Sequence, residues 1–262
     1  MLDALSPQRR RLVLVLVGLV GVLVLALAVT LGFRLTRPKA APVPQDQPGP
    51  VLLVPGYGGR VESLDPLAAA LRATGRDVRV VPRLGDGTGD LNAEAAHLAE
   101  VAEQTLEQTG APSVDVIGYS AGGVVARLWV RDHGGDARTR RVLTLGSPHH
   151  GTSQAALGRE LAGGCPTACE QLVPDSDLLR RLNAGDETPA GPLWATVRSR
   201  GDQVVTPVDS AALDGALNVL VQDVCPGADV SHGELPGTSV TLAALEAVLG
   251  VGPPEDVPRG SC

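Results

Sequence analysis

Gly118-Tyr119-Ser120-Ala121-Gly122 stands between two segments of different pattern. Val114 to Ile117 before it is an apolar run that reads as a buried strand, and Gly122 to Val130 after it reads as a helix. A G-x-S-x-G turn from strand to helix is so sharp that only small residues fit around the serine, whose oxygen is left exposed above the sheet. Gly118, Ala121, Gly122 and Gly123 supply that smallness. With 32 glycines in 262 residues the pattern alone recurs by chance, so the flanking strand and helix carry the inference. They make Ser120 a candidate nucleophile, against the plainer reading of a structural Gly-rich turn.

Outward from this turn the chain alternates short apolar runs with longer helical patterns, as a parallel sheet covered by helices requires. Val51 to Pro55, Val78 to Pro82, Val142 to Leu145, Trp194 to Val197 and Leu217 to Val221 read as further strands. Leu64 to Ala73 and Thr241 to Leu249 read as helices. Asp90 is suited to cap a third helix, in which Leu91, Ala95, Leu98, Ala102 and Leu106 recur at three or four residues and mark one apolar face. The fold class expected is α/β, a mostly parallel sheet with helices on both faces, in one domain over residues 51–262.

The N-terminus differs from the rest. Residues 1–11 form a basic segment, and the run from Leu12 to Phe33 has Thr30 as its only polar member. At helical rise that run covers about 33 Å, close to the thickness of a bilayer's hydrocarbon core. Its length, the basic Arg34, Arg37 and Lys39 after it, and the weak cleavage site at Ala40-Ala41 favour a transmembrane signal anchor at 12–33 over a cleaved signal peptide. Residues 34–50 contain Pro38, Pro42, Pro44, Pro48 and Pro50, which points to an extended Pro-rich linker. All of Cys165, Cys169, Cys225 and Cys262 follow the span, an even number that suits disulfides in an oxidising compartment. Four cysteines allow three connectivities. Proximity favours Cys165 with Cys169, leaving Cys225 with Cys262, and the second bridge then closes a loop long enough to contribute roughly 4 kcal/mol. Residues 1–40 hold six of the 22 basic residues and one of the 29 acidic ones, so the rest carries a net charge of −12, which argues against a nucleic-acid partner.

A serine hydroxyl needs a base to take its proton and a carboxylate to hold that base's tautomer. In a doubly wound sheet with this kind of turn the chain order is Ser, then Asp or Glu, then His, each on a loop at the strands' carboxyl ends. His97 precedes Ser120 and lies in a helix. His133 ends the helix after Ser120, where it reads as a cap. His149 and His150 follow the next strand, too early to come after the acid, and neighbouring histidines with no Cys or acid cluster are a poor metal site. His232, after the last strand, remains as the base. Asp202, after the Trp194 to Val197 strand, is the favoured acid, with Asp209 and Asp214 further along the loop as weaker alternatives. Its bland reading is a Gly-Asp turn. A developing oxyanion needs two backbone N–H donors. Ala121 and Tyr57, the latter in the glycine-rich Pro55-Gly56-Tyr57-Gly58-Gly59, are the candidates. That loop lacks the ending of a nucleotide-binding loop.

With these residues in hand, the chain resembles serine lipases and esterases of the α/β-hydrolase superfamily, most closely secreted actinobacterial triacylglycerol lipases. The resemblance rests on Val54-Pro55-Gly56-Tyr57-Gly58-Gly59, Gly118-Tyr119-Ser120-Ala121-Gly122-Gly123, Gly146-Ser147-Pro148-His149-His150-Gly151-Thr152 and the Asp202 and His232 loops in that order, over about residues 51–250. Pro55 stands where such lipases often carry a histidine. Cys165-Pro166-Thr167-Ala168-Cys169 resembles a cysteine pair of the same group. The resemblance implies ester hydrolysis through an acyl-serine intermediate and no cofactor. The expectation is therefore a monomeric serine lipase or carboxylesterase, tethered to the membrane through the N-terminal helix or secreted, acting outside the cytoplasm on a lipid or small-molecule ester. An acyltransferase or thioesterase with the same triad is an alternative, and so is a noncatalytic anchored binding protein of the same fold. Only Phe33, Tyr57, Tyr119, Trp129 and Trp194 are aromatic, so an acyl pocket is expected to be aliphatic.

Overall fold

The computed structural model describes residues 7–35, 43–58 and 61–262. Residues 1–6 of the basic segment, residues 36–42 of the linker with Ala40-Ala41, and Gly59 of the glycine loop lie outside them. The chain divides after Lys39 into two units. The first contains one helix, α1 (Pro7–Leu35), of 29 residues. Leu14 to Leu25 within it are exposed. The expected span at 12–33 falls inside α1, but several of its side chains lie outside the description. Among the described residues no helix is long and apolar enough to cross a membrane.

The second unit is built on a sheet of six strands: β1 (Val51–Val54), β2 (Val78–Val80), β3 (Val114–Tyr119), β4 (Thr139–Leu145), β5 (Leu193–Arg198) and β6 (Leu217–Leu220). Their spatial order is β2-β1-β3-β4-β5-β6, and every pairing is parallel. β1 stops one residue short of Pro55, which has no N–H for the ladder. Side chains alternate across each strand, so Val51 and Leu53 enter one core while Leu52 and Val54 enter the other. Both faces are therefore apolar, which is why the strands read as unbroken hydrophobic runs.

One core holds α3 (Leu91–Thr109) and α4 (Ala121–Asp132), and the opposite core holds α2 (Asp65–Ala73) and α9 (Ser239–Leu249). The Asp90 carboxylate accepts from the Asn92 N–H at 3.0 Å and so caps α3. Leu91, Ala95, Leu98 and Ala102 are buried as their spacing predicts, but the stripe then shifts by one residue. Thr105 takes the buried place and Leu106 is half-buried, because the Thr105 hydroxyl is satisfied by the Val101 carbonyl at 2.7 Å. Three short helices of the second unit lacked a legible pattern: α5 (Ser153–Ala162), α6 (Thr167–Gln171) and α7 (Asp177–Leu182). α5 buries none of its residues and so shows no apolar stripe. The segment Val221–Val224, whose first residue was expected to end β6, forms the single helical turn α8.

The base of the sheet is closed by buried charge. Arg140 is fully buried and donates from Nε to Asp115 Oδ1 at 2.9 Å and from a terminal nitrogen to Oδ2 at 2.7 Å. Arg76 also pairs with Asp115. The remaining Arg140 donors reach the carbonyls of Gln45, Leu249 and Gly250, and Arg76 reaches that of Gly49. A buried ion pair is tolerated only when its hydrogen-bonding capacity is used, and here the surplus donors are spent on main chain from both ends of the unit. Residues 43–50, expected to be linker, consequently pack on the domain, with Val43, Gly49 and Pro50 buried. Disulfides join Cys165 to Cys169 and Cys225 to Cys262. The second fastens the C-terminus beside α8, where the Gly260 N–H donates to the Val224 carbonyl at 2.7 Å.

Candidate active site

β1 has β2 on one side and β3 on the other, so the chain leaves the sheet in opposite directions at these two neighbours. Their carboxyl ends frame a crevice, the usual ligand position in an open parallel sheet. Ser120 follows β3 and Tyr57 lies in the loop after β1.

Ser120 has φ 54° and ψ −127°, and among the described residues only Asp175 is another non-glycine with positive φ. Such a conformation persists only where its surroundings over-determine it. Here they do. A Cβ on Gly118 would stand 2.5 Å from the Gly123 backbone, one on Gly122 would stand 2.2 Å from the Val54 carbonyl oxygen, and one on Gly123 would stand 2.1 Å from Ser147 Oγ. The Ser120 N–H donates to the Leu145 carbonyl at 2.8 Å, and its own carbonyl accepts from the Gly123 N–H at 3.1 Å. Gly56 also leaves no room for a side chain, since a Cβ there would lie 2.8 Å from the Ser120 Cβ. Tyr57 and Ala121, the two expected N–H donors, line one small cleft.

Asp202 and His232 meet from different loops. The His232 Nδ1 lies 2.7 Å from Asp202 Oδ2, and both side chains are almost wholly buried. The other carboxylate oxygen accepts from the N–H groups of Val204 and Val205, each at 2.8 Å. The carboxylate thus has partners on both oxygens, as burial demands. The β5 and β6 loops are stitched to each other by the Ser199 hydroxyl donating to the Val230 carbonyl at 2.7 Å. His232 opens a short 3₁₀ turn, His232–Gly237, where Ser231 and Glu234 form a capping box. Gly146, with φ 51°, faces the pair: a Cβ on it would lie 3.0 Å from Asp202 Oδ2 and 3.1 Å from His232 Nδ1.

Tyr119 carries a role the sequence did not disclose. Its hydroxyl donates to the His232 carbonyl at 3.1 Å and its ring stacks on the imidazole. Burial, and then the charge on Asp202, push the phenol up to about 12, so it stays a donor. The residue before the serine is free in the motif, and only the approach of the His232 loop gives it a partner.

The other histidines and acids fall elsewhere. His97 lies on α3 beside Glu100. His133 closes α4, its N–H donating to the Trp129 carbonyl at 3.0 Å. His149 is fully buried with Nε2 3.0 Å from the Thr144 hydroxyl, and His150 pairs with Glu187 at 2.7 Å. Burial first, then the charges of Arg127 and His150, hold His149 well below its ordinary value near 6.5. Asp209 lies 3.6 Å from Arg198 with its carboxylate 83% exposed, unlike the buried Asp202. Among the described residues no cluster of His, Cys, Asp or Glu could hold a metal ion.

A family model described as the alpha/beta hydrolase fold matches residues 49–160, which include the β1 loop and the Ser120 turn. The chain has the α/β-hydrolase fold. Lipase B of Aspergillus fumigatus superposes with a TM-score of 0.67 at 20% identity, over 82% of this chain and 54% of that one. The chain thus spans about half the length of that lipase. The mature lipase BlEst2 of Bacillus licheniformis gives 0.62 at 18% identity, over 79% of this chain and 94% of that one. The lin2722 product of Listeria innocua gives 0.57 at 14% identity, over 80% and 97%. At these identities the likeness concerns the α/β-hydrolase fold.

Proposed function

We propose that the chain is a serine hydrolase of carboxylic esters, a lipase or carboxylesterase, with Ser120 as nucleophile, His232 as base and then acid, and Asp202 as the group that orients the imidazole. The observation that carries this reading is the 2.7 Å contact between His232 Nδ1 and a buried Asp202 whose other oxygen is held by two main-chain N–H groups. That arrangement keeps the proton on Nδ1 and leaves Nε2 free to accept one.

As Ser120 Oγ forms its bond to the ester carbon, its proton passes to His232 Nε2, and the carbonyl oxygen takes up negative charge beside the N–H groups of Tyr57 and Ala121. The alcohol oxygen then leaves with the proton from Nε2. Water, deprotonated by the same nitrogen, bonds to the acyl carbon, and as the acid leaves, the bond to Ser120 Oγ breaks and Nε2 returns its proton to that oxygen. Asp202 stays ionised throughout and stabilises the imidazolium formed in each half of the cycle.

The same reading takes residues 12–33 as a signal anchor and the catalytic unit as lying outside the cytoplasm. Both disulfides support the second part, since they persist in oxidising compartments. Ser120→Ala tests the assignment: turnover of a chromogenic acyl ester falls to background, and a fluorophosphonate that labels the wild type fails to label the variant. Unchanged turnover sinks it.

A further inference from the structure

The sheet order separates the two halves of an ester. Asp202 and His232 lie on the loops after β5 and β6, and so on one side of β3, the strand that Ser120 follows. The cleft beside Tyr57 and Ala121 lies on the other side, walled by residues that follow β1 and β2 and by Leu91 and Glu94 of α3 and Val125 of α4. This argument rests on the proposed serine mechanism. His232 must hand its proton to the departing alcohol oxygen, so the alcohol leaves on the β5/β6 side. With the carbonyl oxygen on the two N–H groups, the acyl chain has the β1/β2 cleft left to it.

That cleft is small, with a cavity of about 20 Å³. Little more than one water needs such a space. Its size is fixed by main chain as well as by side chains. The Gly58 N–H donates to the Gly87 carbonyl at 3.0 Å, tying the two loops that form its rim. The Leu84 N–H donates to Glu94 Oε1 at 3.1 Å, and the Arg83 guanidinium donates to the Asp86 carbonyl at 2.8 Å. Leu91, in the first turn of α3, is itself core and buried. The lining sets the apolar Leu91 and Val125 together with the charged Arg83 and Glu94. A longer alkyl chain would have to displace water from both charged groups without replacing their hydrogen bonds.

We infer that the acyl side of this site takes short acyl groups, and that Leu91 and Glu94 set the limit. The substrate class is then a short-chain carboxylic ester, however large its alcohol.

The test is a series of p-nitrophenyl esters from acetate to decanoate with the full-length protein in detergent. The expected result is a maximal kcat/KM at acetate to butyrate, with octanoate lower by about tenfold or more. Octanoate turned over as well as butyrate overturns the inference while leaving the serine hydrolase reading intact. No hydrolysis at any length overturns both. Leu91→Ala enlarges the cleft and raises the octanoate-to-butyrate ratio by about tenfold. Glu94→Gln keeps an acceptor for the Leu84 N–H, removes the charge, and raises the same ratio about threefold. The second variant decides the matter should the first fail to fold. An unchanged ratio in Glu94→Gln, or in folded Leu91→Ala, overturns the limit assigned to these side chains.

Discussion

The Tyr119 hydroxyl donates to the main-chain carbonyl of His232 at 3.1 Å, while its ring centroid lies 5.1 Å from that of the imidazole at an interplanar angle of 29°. The residue before Ser120 therefore holds the loop that carries His232, the proposed base. Since Asp202 grips the other side of His232 through Nδ1, the imidazole is fixed from two directions.

Tyr119→Phe keeps the ring and deletes one hydrogen bond. The expected cost is about 1 kcal/mol in urea unfolding. Turnover of a chromogenic ester falls by about three- to tenfold through looser placement of His232, with KM little changed. A folded variant with wild-type kcat would show that the hydroxyl holds the loop without aligning the base.

Asp202→Asn preserves the shape of the carboxylate but can present an N–H to His232 Nδ1, which favours the tautomer with Nε2 protonated. The base is then blocked, and kcat falls by about 10⁴-fold. Far-ultraviolet circular dichroism should match the wild type. Activity within tenfold of wild type would move the acid role to Asp209 or Asp214.

His149 makes stability depend on pH. Its folded-state value is depressed by burial, whereas the unfolded chain protonates it near 6.5. Above 6.5 the residue is neutral in both states and contributes no slope. Below 6.5 the unfolded state takes up a proton that the folded state refuses, so stability falls as the pH falls, by up to about 1.4 kcal/mol per pH unit until the folded value is reached. Urea unfolding at pH 7.5, 6.5 and 5.5 measures this slope. His149→Gln flattens it. Parallel slopes in the two proteins would assign the acid sensitivity to other groups.

Much of the architecture was legible because it is written in local patterns. Strands buried on both faces had to be continuous apolar runs, the α3 stripe repeats with the helical period, and Asp90 carries a side chain that caps whatever helix follows. The glycines around Ser120 were legible for a steric reason, since each stands where a Cβ would strike backbone or a packed side chain. Chain order reduced five histidines to His232, and the structure sets that histidine against Asp202. α5 was not legible, as a helix that buries nothing has no periodic stripe. Nor was the packing of Val43 to Pro50, which depends on surplus donors of Arg140 and Arg76, residues distant in sequence from the segment they hold.

By itself, then, the sequence determined the parallel α/β sheet, the sharp turn that carries Ser120, and the chain order of Ser120, Asp202 and His232 on loops after successive strands, because each follows from the size, period or polarity of neighbouring residues. Only the tertiary structure decided that Tyr119 braces His232, that Gly146 leaves room for the Asp202 contact, and that Leu91 and Glu94 crowd the cleft beside Tyr57 and Ala121. Those relationships join segments dozens of residues apart. They are set by how the loops above the sheet pack together, which no local pattern encodes.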